Sequence, residues 1–283
     1  VEVITKISEI RSAIRTQKAK GKRIGFVPTM GFLHEGHLSL VRESLRETDF
    51  TIVSIFVNPT QFGPEEDFDE YPRDLEKDKT MLERLGVNLV FIPDGLEMYP
   101  KGFKTYVAVT DLQDKFEGRS RPGHFRGVCT VVLKLFALVQ PNAAYFGQKD
   151  AQQAVIVKKM VQDLNLDVEV RVLPTVREKD GLAISSRNIY LTKVQRKAAL
   201  CLVRSLAKAK DMIEAGERDP HIVERAMERI IQKEASADLD YIAIVDLDNF
   251  ETLDTINSAA LIAVAAYLGE VRLIDNMIVQ PKE

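Results

Sequence analysis

The chain has 283 residues, with 39 Lys and Arg against 42 Asp and Glu, a formal charge of −3, and 45% hydrophobic residues. That length buries a sizeable core and suits two domains better than one. The charge balance lacks the basic footprint of a nucleic-acid binder. No apolar run is long enough to span a bilayer, and Val1 to Lys6 has no basic leader ahead of an apolar stretch, so no signal peptide is expected. Cys129 and Cys201, far apart, read as small core hydrophobes in a reducing cytoplasm. The expected partners are small molecules and a second copy of the chain, with no nucleic acid and no membrane.

The first two thirds alternate helical and strand patterns. Ile7, Ile10 and Ile14 share one face of an opening helix that ends near Gly21. The apolar run Ile24 to Val27 reads as a strand stopped by Pro28, and Leu38, Val41 and Leu45 mark the next helix. Thr51 to Val57 is a buried strand before Asn58-Pro59. Leu75, Met81, Leu82 and Leu85 form a helical stretch before Gly86, and Val87 to Ile92 a strand before Pro93. Arg126 to Val139 reads as helix, Ala143 to Phe146 as strand, Ala151 to Leu164 as helix and Val168 to Leu173 as strand. Such alternation with short connections means a parallel sheet covered by helices on both faces. After Pro174 the pattern changes. Lys193 to Ala215 reads as one long helix and His221 to Ala235 as a second, with strands at Tyr241–Val245, Ala260–Tyr267 and Val271–Val279. The expected division is an α/β domain over 1–174 and a smaller C-terminal α+β domain over 175–283.

The most informative string is Pro28-Thr29-Met30-Gly31-Phe32-Leu33-His34-Glu35-Gly36-His37, between the first long strand and its helix. A glycine-containing strand-to-helix turn lets the backbone approach phosphate oxygens, and the helix N-terminus offers free N–H groups and a partial positive charge. Two histidines there add ring donors for charge that builds at phosphorus. The same pair also fits surface residues at a helix start or a metal pair, but no thiol or third histidine lies nearby in sequence. Asn58-Pro59-Thr60-Gln61 follows the next strand, at the edge where open α/β sheets place ligands, and an exposed turn is the alternative. Gly147-Gln148-Lys149-Asp150 leads from a strand into a helix, where a lysine reaches phosphate oxygens or simply faces solvent. Ile184-Ser185-Ser186-Arg187 offers two hydroxyls and a guanidinium to a triphosphate, on a loop expected to be mobile. The basic segment Gly118 to Arg126 reads as one that holds phosphates or covers a site, most firmly for Arg126 at a helix start, whereas Arg119 and Arg121 fit a solvated loop equally well. The acidic run Glu65 to Glu70 reads as a solvated face, leaving Asp78 and Asp150 as candidate carboxylates for Mg²⁺.

These motifs resemble the pantothenate synthetase family, within the class I aminoacyl-tRNA synthetase and nucleotidylyltransferase superfamily. The resemblance rests on the histidine string and on Phe56 to Phe62, Gly123-His124-Phe125-Arg126-Gly127, Tyr145 to Asp150 and Ile184 to Asn188. It implies a Rossmann-like parallel sheet plus a smaller domain, in a cytoplasmic homodimer. It also implies an ATP-dependent ligase that joins pantoate to β-alanine through a pantoyl-adenylate, releasing AMP and pyrophosphate. The implied ATP site is Met30, Gly31, Phe32, Leu33, His34, Glu35, Gly36 and His37, with Gly147, Gln148, Lys149 and Asp150, Val176 beside the adenine, and Ile184, Ser185, Ser186 and Arg187. His34, His37 and Lys149 are the implied catalytic residues, with His37 a proton donor. Pantoate falls to Met30, Gln61, Gln153 and Arg126, and β-alanine borders Gln61. Gln153 and Lys149, four apart, are expected on one helix face. A nucleotidylyltransferase that keeps AMP in its product, or a nucleotide sensor without turnover, are the alternatives that product analysis and an ATP-turnover assay separate.

Overall fold

The structure is a computed structural model that describes residues 1–64 and 66–282; Glu65, at the head of the acidic run, lies outside them. In chain order the elements are β1 (Glu2–Ile4), α1 (Ile7–Ala19), β2 (Ile24–Thr29), α2 (Glu35–Glu47), β3 (Phe50–Ile55), α3 (Leu75–Leu85), β4 (Leu89–Phe91), α4 (Gly95–Met98), α5 (Phe116–Ser120), α6 (His124–Val139), β5 (Ala143–Gly147), α7 (Ala151–Asp163), β6 (Glu169–Leu173), α8 (Lys193–Ala198), α9 (Leu200–Glu214), α10 (Pro220–Ile231), β7 (Ala237–Val245), β8 (Ala260–Leu268) and β9 (Val271–Val279). The chain forms two compact units. One holds Val1–Gly147 and Ile156–Pro174, the other Gln148–Val155 and the chain from Thr175 onward.

The first unit is built on a six-stranded sheet in the order β1-β4-β3-β2-β5-β6, parallel at every pairing. The inner strands are buried on both faces, so they read as continuous apolar runs rather than alternating ones. Val27, Val53 and Val90 pack with Leu38 and Val41 of α2 and Leu82 of α3 on one face. The adjacent Phe26 points the other way, its ring 6.3 Å from that of Phe136 on α6, and α1 packs beside α6.

Pro28 does not end β2, which continues to Thr29. The Thr29 carbonyl accepts from Phe56 N–H and the Ile24 carbonyl from Asn142 N–H, so Pro28 turns its missing donor toward β5. The β5 pairing stops at Phe26, so no ladder bond is lost there. The adjoining strand β3 ends at Ile55, two residues short of the expected Val57.

The second unit carries an antiparallel sheet, β7-β8-β9. Leu202, Leu206 and Ile213 of α9 and Val223, Met227 and Ile231 of α10 pack with Ile262, Val264, Ala266 and Leu273 of that sheet. The expected single helix over Lys193–Ala215 is instead α8 and α9, separated at Ala199. Ala199 keeps a right-handed backbone and its N–H still bonds to Gln195, so the interruption is one residue deep. Thr192 caps α8 by accepting from Gln195 N–H, while the Gln195 side chain accepts from Thr192 N–H. The helix expected to reach Ala235 ends at Ile231, and β7 begins at Ala237, before the expected Tyr241. Cys129 and Cys201 are fully buried, and burial pushes their thiols up to about 12 and about 11. Neither is a nucleophile at neutral pH.

Candidate active site

The carboxyl edge of the parallel sheet is where the first unit gathers its polar side chains. Beyond Thr29 the chain turns at Gly31, with φ +83°, and at Phe32, with φ +51°. A side chain at Gly31 would be strained at that angle and would bring Cβ within 2.9 Å of Ile55 and 3.0 Å of the Asp78 carboxylate. Phe32 N–H donates to Asp78 Oδ2 and Leu33 N–H to Asp78 Oδ1, each at 2.7 Å. Asp78, the expected metal carboxylate, thus holds the main chain of the turn from α3. It is 2% exposed, and burial raises its carboxyl above the usual range although both N–H bonds pull the other way.

The two histidines follow directly. Their ring centroids lie 4.0 Å apart with the planes tilted by 30°, so the rings stack at the start of α2. His34 N–H donates to His37 Nδ1 at 3.4 Å. An accepting Nδ1 leaves the neutral ring's proton on Nε2. Glu35 is exposed and pairs with Arg42 along the outer face of α2.

Gln61 is 8% exposed, not the exposed turn residue that the chain pattern also allowed. Its Nε2 lies 3.2 Å from Met30 Sδ, and Asn58 Nδ2 donates to its Oε1 at 3.0 Å. Asn58 is held in turn by Tyr99, whose hydroxyl donates to Asn58 Oδ1 at 2.8 Å, and by the Gly127 carbonyl, 3.1 Å from Nδ2. His124 Nδ1 lies 2.8 Å from the Gln61 carbonyl. A carbonyl only accepts, so the proton sits on Nδ1 and Nε2 faces Arg121 Nη1 at 3.2 Å. Arg121 is not solvated: its side chain is 15% exposed and paired with Glu66 and Glu117. Arg119 is exposed, and Arg126 is exposed with its guanidinium 5.0 Å from the centre of the Tyr106 ring.

Gly127 lets α6 lie directly on this turn. A Cβ there would meet the Thr60 carbonyl oxygen at 2.3 Å and Gln61 Cα at 2.6 Å, both backbone atoms. Gly127→Ala should therefore cost about 1–3 kcal/mol of stability, read as a lowered midpoint in thermal denaturation. An unchanged midpoint would show that the turn yields without cost.

The remaining expected site residues, except Gly147 at the end of β5, belong to the second unit. Gln148–Asp150 is a single 3₁₀ turn ahead of α7. Lys149 therefore precedes the helix that carries Gln153 rather than sharing it. Its ammonium lies 3.5 Å from Asp150, and the pair is partly exposed. Asn276 of β9 donates to the carbonyls of Gln148 and Lys149 at 2.9 and 2.8 Å, and its own oxygen accepts from Gln148 Nε2 at 3.0 Å. The next residue back, Asp275, is 2% exposed and takes both arms of Arg177, at 2.6 and 2.9 Å.

The serine loop carries several internal hydrogen bonds. The Val176 carbonyl accepts from Ile184 N–H at 3.0 Å, and Arg177 and Ala183 form a β-bridge. Asn188 Nδ2 reaches Ala183 O and Glu178 Oε1, and Ser185 Oγ accepts from Arg187 N–H at 3.3 Å, starting a 3₁₀ helix over Ser186–Tyr190. Asp78 as a turn anchor, His124 and the Arg177–Asp275–Asn276 set are roles that the pattern of the chain had not exposed. The last carried a signal, a charged and an amide residue side by side in an otherwise largely apolar strand.

An all-parallel α/β sheet, turning through glycine at its carboxyl edge into a helix led by two stacked histidines, defines a nucleotide-binding enzyme of the doubly wound class. A sequence model of the pantoate–β-alanine ligase family matches residues 2–278. The pantothenate synthetase of Caldicellulosiruptor bescii is 55% identical over 280 residues, covering 99% of both chains. The crystal structure of pantothenate synthetase from Thermus thermophilus superposes with a TM-score of 0.94 at 46% identity, over 99% of this chain and 100% of that one. The pantoate–β-alanine ligase of Francisella tularensis, complexed with β-γ ATP and β-alanine, superposes with a TM-score of 0.81 at 36% identity, over 98% and 97% of the two chains. The chain belongs to the pantoate–β-alanine ligase family. It is an ATP-dependent ligase that condenses pantoate with β-alanine. No helix among the described residues is long and apolar enough to cross a membrane.

Proposed function

We propose that this chain makes pantothenate in two steps at the carboxyl edge of its parallel sheet, with residue roles that follow the motifs. The observation that carries the reading is the stacked His34–His37 pair on an anchored glycine turn. In the first step a pantoate carboxylate oxygen attacks the α-phosphorus of ATP. The bond from that phosphorus to the β-phosphate oxygen breaks, and pyrophosphate leaves. In the second step the β-alanine amine attacks the acyl carbon, AMP departs with its oxygen, and the amine loses a proton. A free carboxylate would have to expel oxide, whereas the adenylate expels AMP. The protein's contribution is positioning and charge stabilisation.

His34 and His37 donate to ATP phosphates, with His37 Nε2–H directed to charge that develops at phosphorus. The turn Met30–Leu33, with Glu35 and Gly36, lines the nucleotide. Gly147, Gln148, Lys149 and Asp150 also bind ATP in this reading, and Lys149 pairs with phosphate oxygens in place of Asp150. Val176 meets the adenine through its backbone, and Ile184, Ser185, Ser186 and Arg187 close on the triphosphate. Gln61, Gln153, Met30 and Arg126 hold pantoate, and Gln61 also borders β-alanine. Burial of Gln61 and its contact with Met30 support this pocket.

Magnesium enters as the ATP complex. Among the described residues no group of three or more His, Cys, Asp or Glu is placed to hold a metal ion. Each oxygen of Asp78 already serves a backbone N–H. Phosphate oxygens and water supply most of the ion's ligands, with Asp78, whose oxygens each keep a second lone pair, or the exposed Asp150 as the protein carboxylate. The family resemblance supports a homodimer, which light scattering tests, and the two buried free cysteines support a reducing cytoplasm.

The two-step order has a direct readout. Labelled pyrophosphate should exchange into ATP when pantoate is present and β-alanine absent. Exchange that strictly required β-alanine would replace this order with a concerted one.

A further inference from the structure

Lys149 is the one cation in the Gln148–Asp150 turn, and what aims it lies 127 residues away in the chain. The carbonyls of Gln148 and Lys149 belong to the two peptide units on either side of Lys149 Cα. Both accept from one amide nitrogen, Asn276 Nδ2, at 2.9 and 2.8 Å. Two carbonyls only accept, which fixes which end of the Asn276 amide is nitrogen. Fixing both flanking peptides fixes the direction of the Lys149 Cα–Cβ bond. The Asn276 oxygen also accepts from Gln148 Nε2 at 3.0 Å, so every polar atom of this side chain is committed to the turn.

Asn276 is itself immobilised. It is 4% exposed and lies on β9, paired with Ala263 of β8. Its N–H donates to Asp275 Oδ1 at 2.7 Å, and its carbonyl accepts from Arg177 Nη2 at 3.3 Å. Arg177 also donates to the Gly181 carbonyl at 3.0 Å, within the bend that leads to Ser185. A partly buried, two-armed arginine–aspartate pair with further hydrogen bonds makes a firm base. By contrast, among the described residues the Lys149 ammonium pairs with Asp150 alone, at 3.5 Å, with Lys149 partly exposed and Asp150 exposed. The backbone under Lys149 is held firmly, and its charge is left to be taken up by a ligand.

We infer that Asn276 is a positioning residue for Lys149, orienting its ammonium toward ATP phosphate through the carbonyls of Gln148 and Lys149. The inference rests on the reading of Lys149 as a phosphate ligand. Asn276→Ala removes both donors. Asn276→Asp keeps the shape but sets a carboxylate oxygen against two carbonyl oxygens. Both variants should slow pantoate-dependent pyrophosphate exchange by about tenfold or more. The reaction of supplied pantoyl-adenylate with β-alanine should stay near the parent rate.

The decisive measurement is the cycle with Lys149→Ala. If Asn276 acts through Lys149, Asn276→Ala should change exchange by less than about twofold once Lys149 is already alanine. Full additivity of the two substitutions, or equal losses in both half-reactions, would overturn the inference and leave Asn276 a structural residue. If Lys149→Ala alone slows exchange and the Asn276 variants do not, the positioning role fails and the Lys149 reading stands. If Lys149→Ala leaves exchange intact, the Lys149 reading fails and this inference falls with it. Should Asn276→Ala not fold, Asn276→Ser supports the same cycle, since its hydroxyl has a single proton for two carbonyls.

Discussion

His37→Ala should lower the rate of pantoyl-adenylate formation about 100- to 1000-fold while leaving the melting temperature nearly unchanged. The ring sits in the first turn of α2 and accepts a long hydrogen bond from His34 N–H, at 3.4 Å. The side chain is only partly buried at a helix start, so its removal should cost the fold little. What is lost is a donor on Nε2, held in place by the stacked His34 ring 4.0 Å away. A donor aimed at charge that grows during reaction acts on the rate more than on ATP affinity. Single-turnover pyrophosphate release at saturating ATP and pantoate reads this directly. His37→Gln, which keeps an N–H at similar reach, should recover part of the loss. A rise in ATP KM with unchanged single-turnover rate would reassign His37 to ground-state binding.

Asp78→Ala should reduce both stability and adenylate formation. It strands the N–H groups of Phe32 and Leu33, both engaged at 2.7 Å by a side chain that is 2% exposed. Leaving two such donors without an acceptor costs about 2–6 kcal/mol, which lowers the melting temperature by at least about 4 °C. The same loss frees the turn that precedes His34, so adenylate formation should fall alongside stability.

The pH dependence has a definite sign. Burial raises the folded Asp78 carboxyl above its free value, ahead of the opposing pull of its two N–H bonds. Between the two values the folded chain keeps a proton that the unfolded chain has released. Its contribution to stability therefore falls as pH rises through that window and is constant above it. Asp78→Asn should flatten this slope in denaturant midpoints measured from about pH 4 to 7. A slope identical to the parent's would mean that other groups set it.

The parts of the site that were legible from the chain are those that act locally. The His34–His37 spacing, the glycine turn and the Asn58–Gln61 step all follow their strands directly, and the strands are legible because doubly buried parallel strands are apolar throughout. Asp78 bonds to a turn 45 residues earlier, His124 reaches a carbonyl 63 residues earlier, and Asn276 reaches one 128 residues earlier. No local period encodes partners at such distances. The same holds for the fold. Glu2–Ile4 is a three-residue strand beside β4, too short to show a run. The interruption at Ala199 falls in a stretch of helix-forming residues with no glycine or proline to announce it. Pro28 misled in the opposite sense, because its effect depends on which neighbour its missing donor faces.

The strand order β1-β4-β3-β2-β5-β6 also governs how the chain is born. The central strand β2 is bordered on one side by β3, which follows it closely, but its other side waits for β5. The contact that begins that border, Ile24 N–H to Asn142 Oδ1, spans 118 residues. At synthesis rates of about 5–20 residues per second, β2 would leave the ribosome roughly 6–24 s before its second neighbour. Throughout that interval an apolar strand has one open edge, the form most prone to pairing with another chain. The sheet's centre is thus completed late, and a chain arrested before Ala143 should be recovered in aggregates or bound to a chaperone.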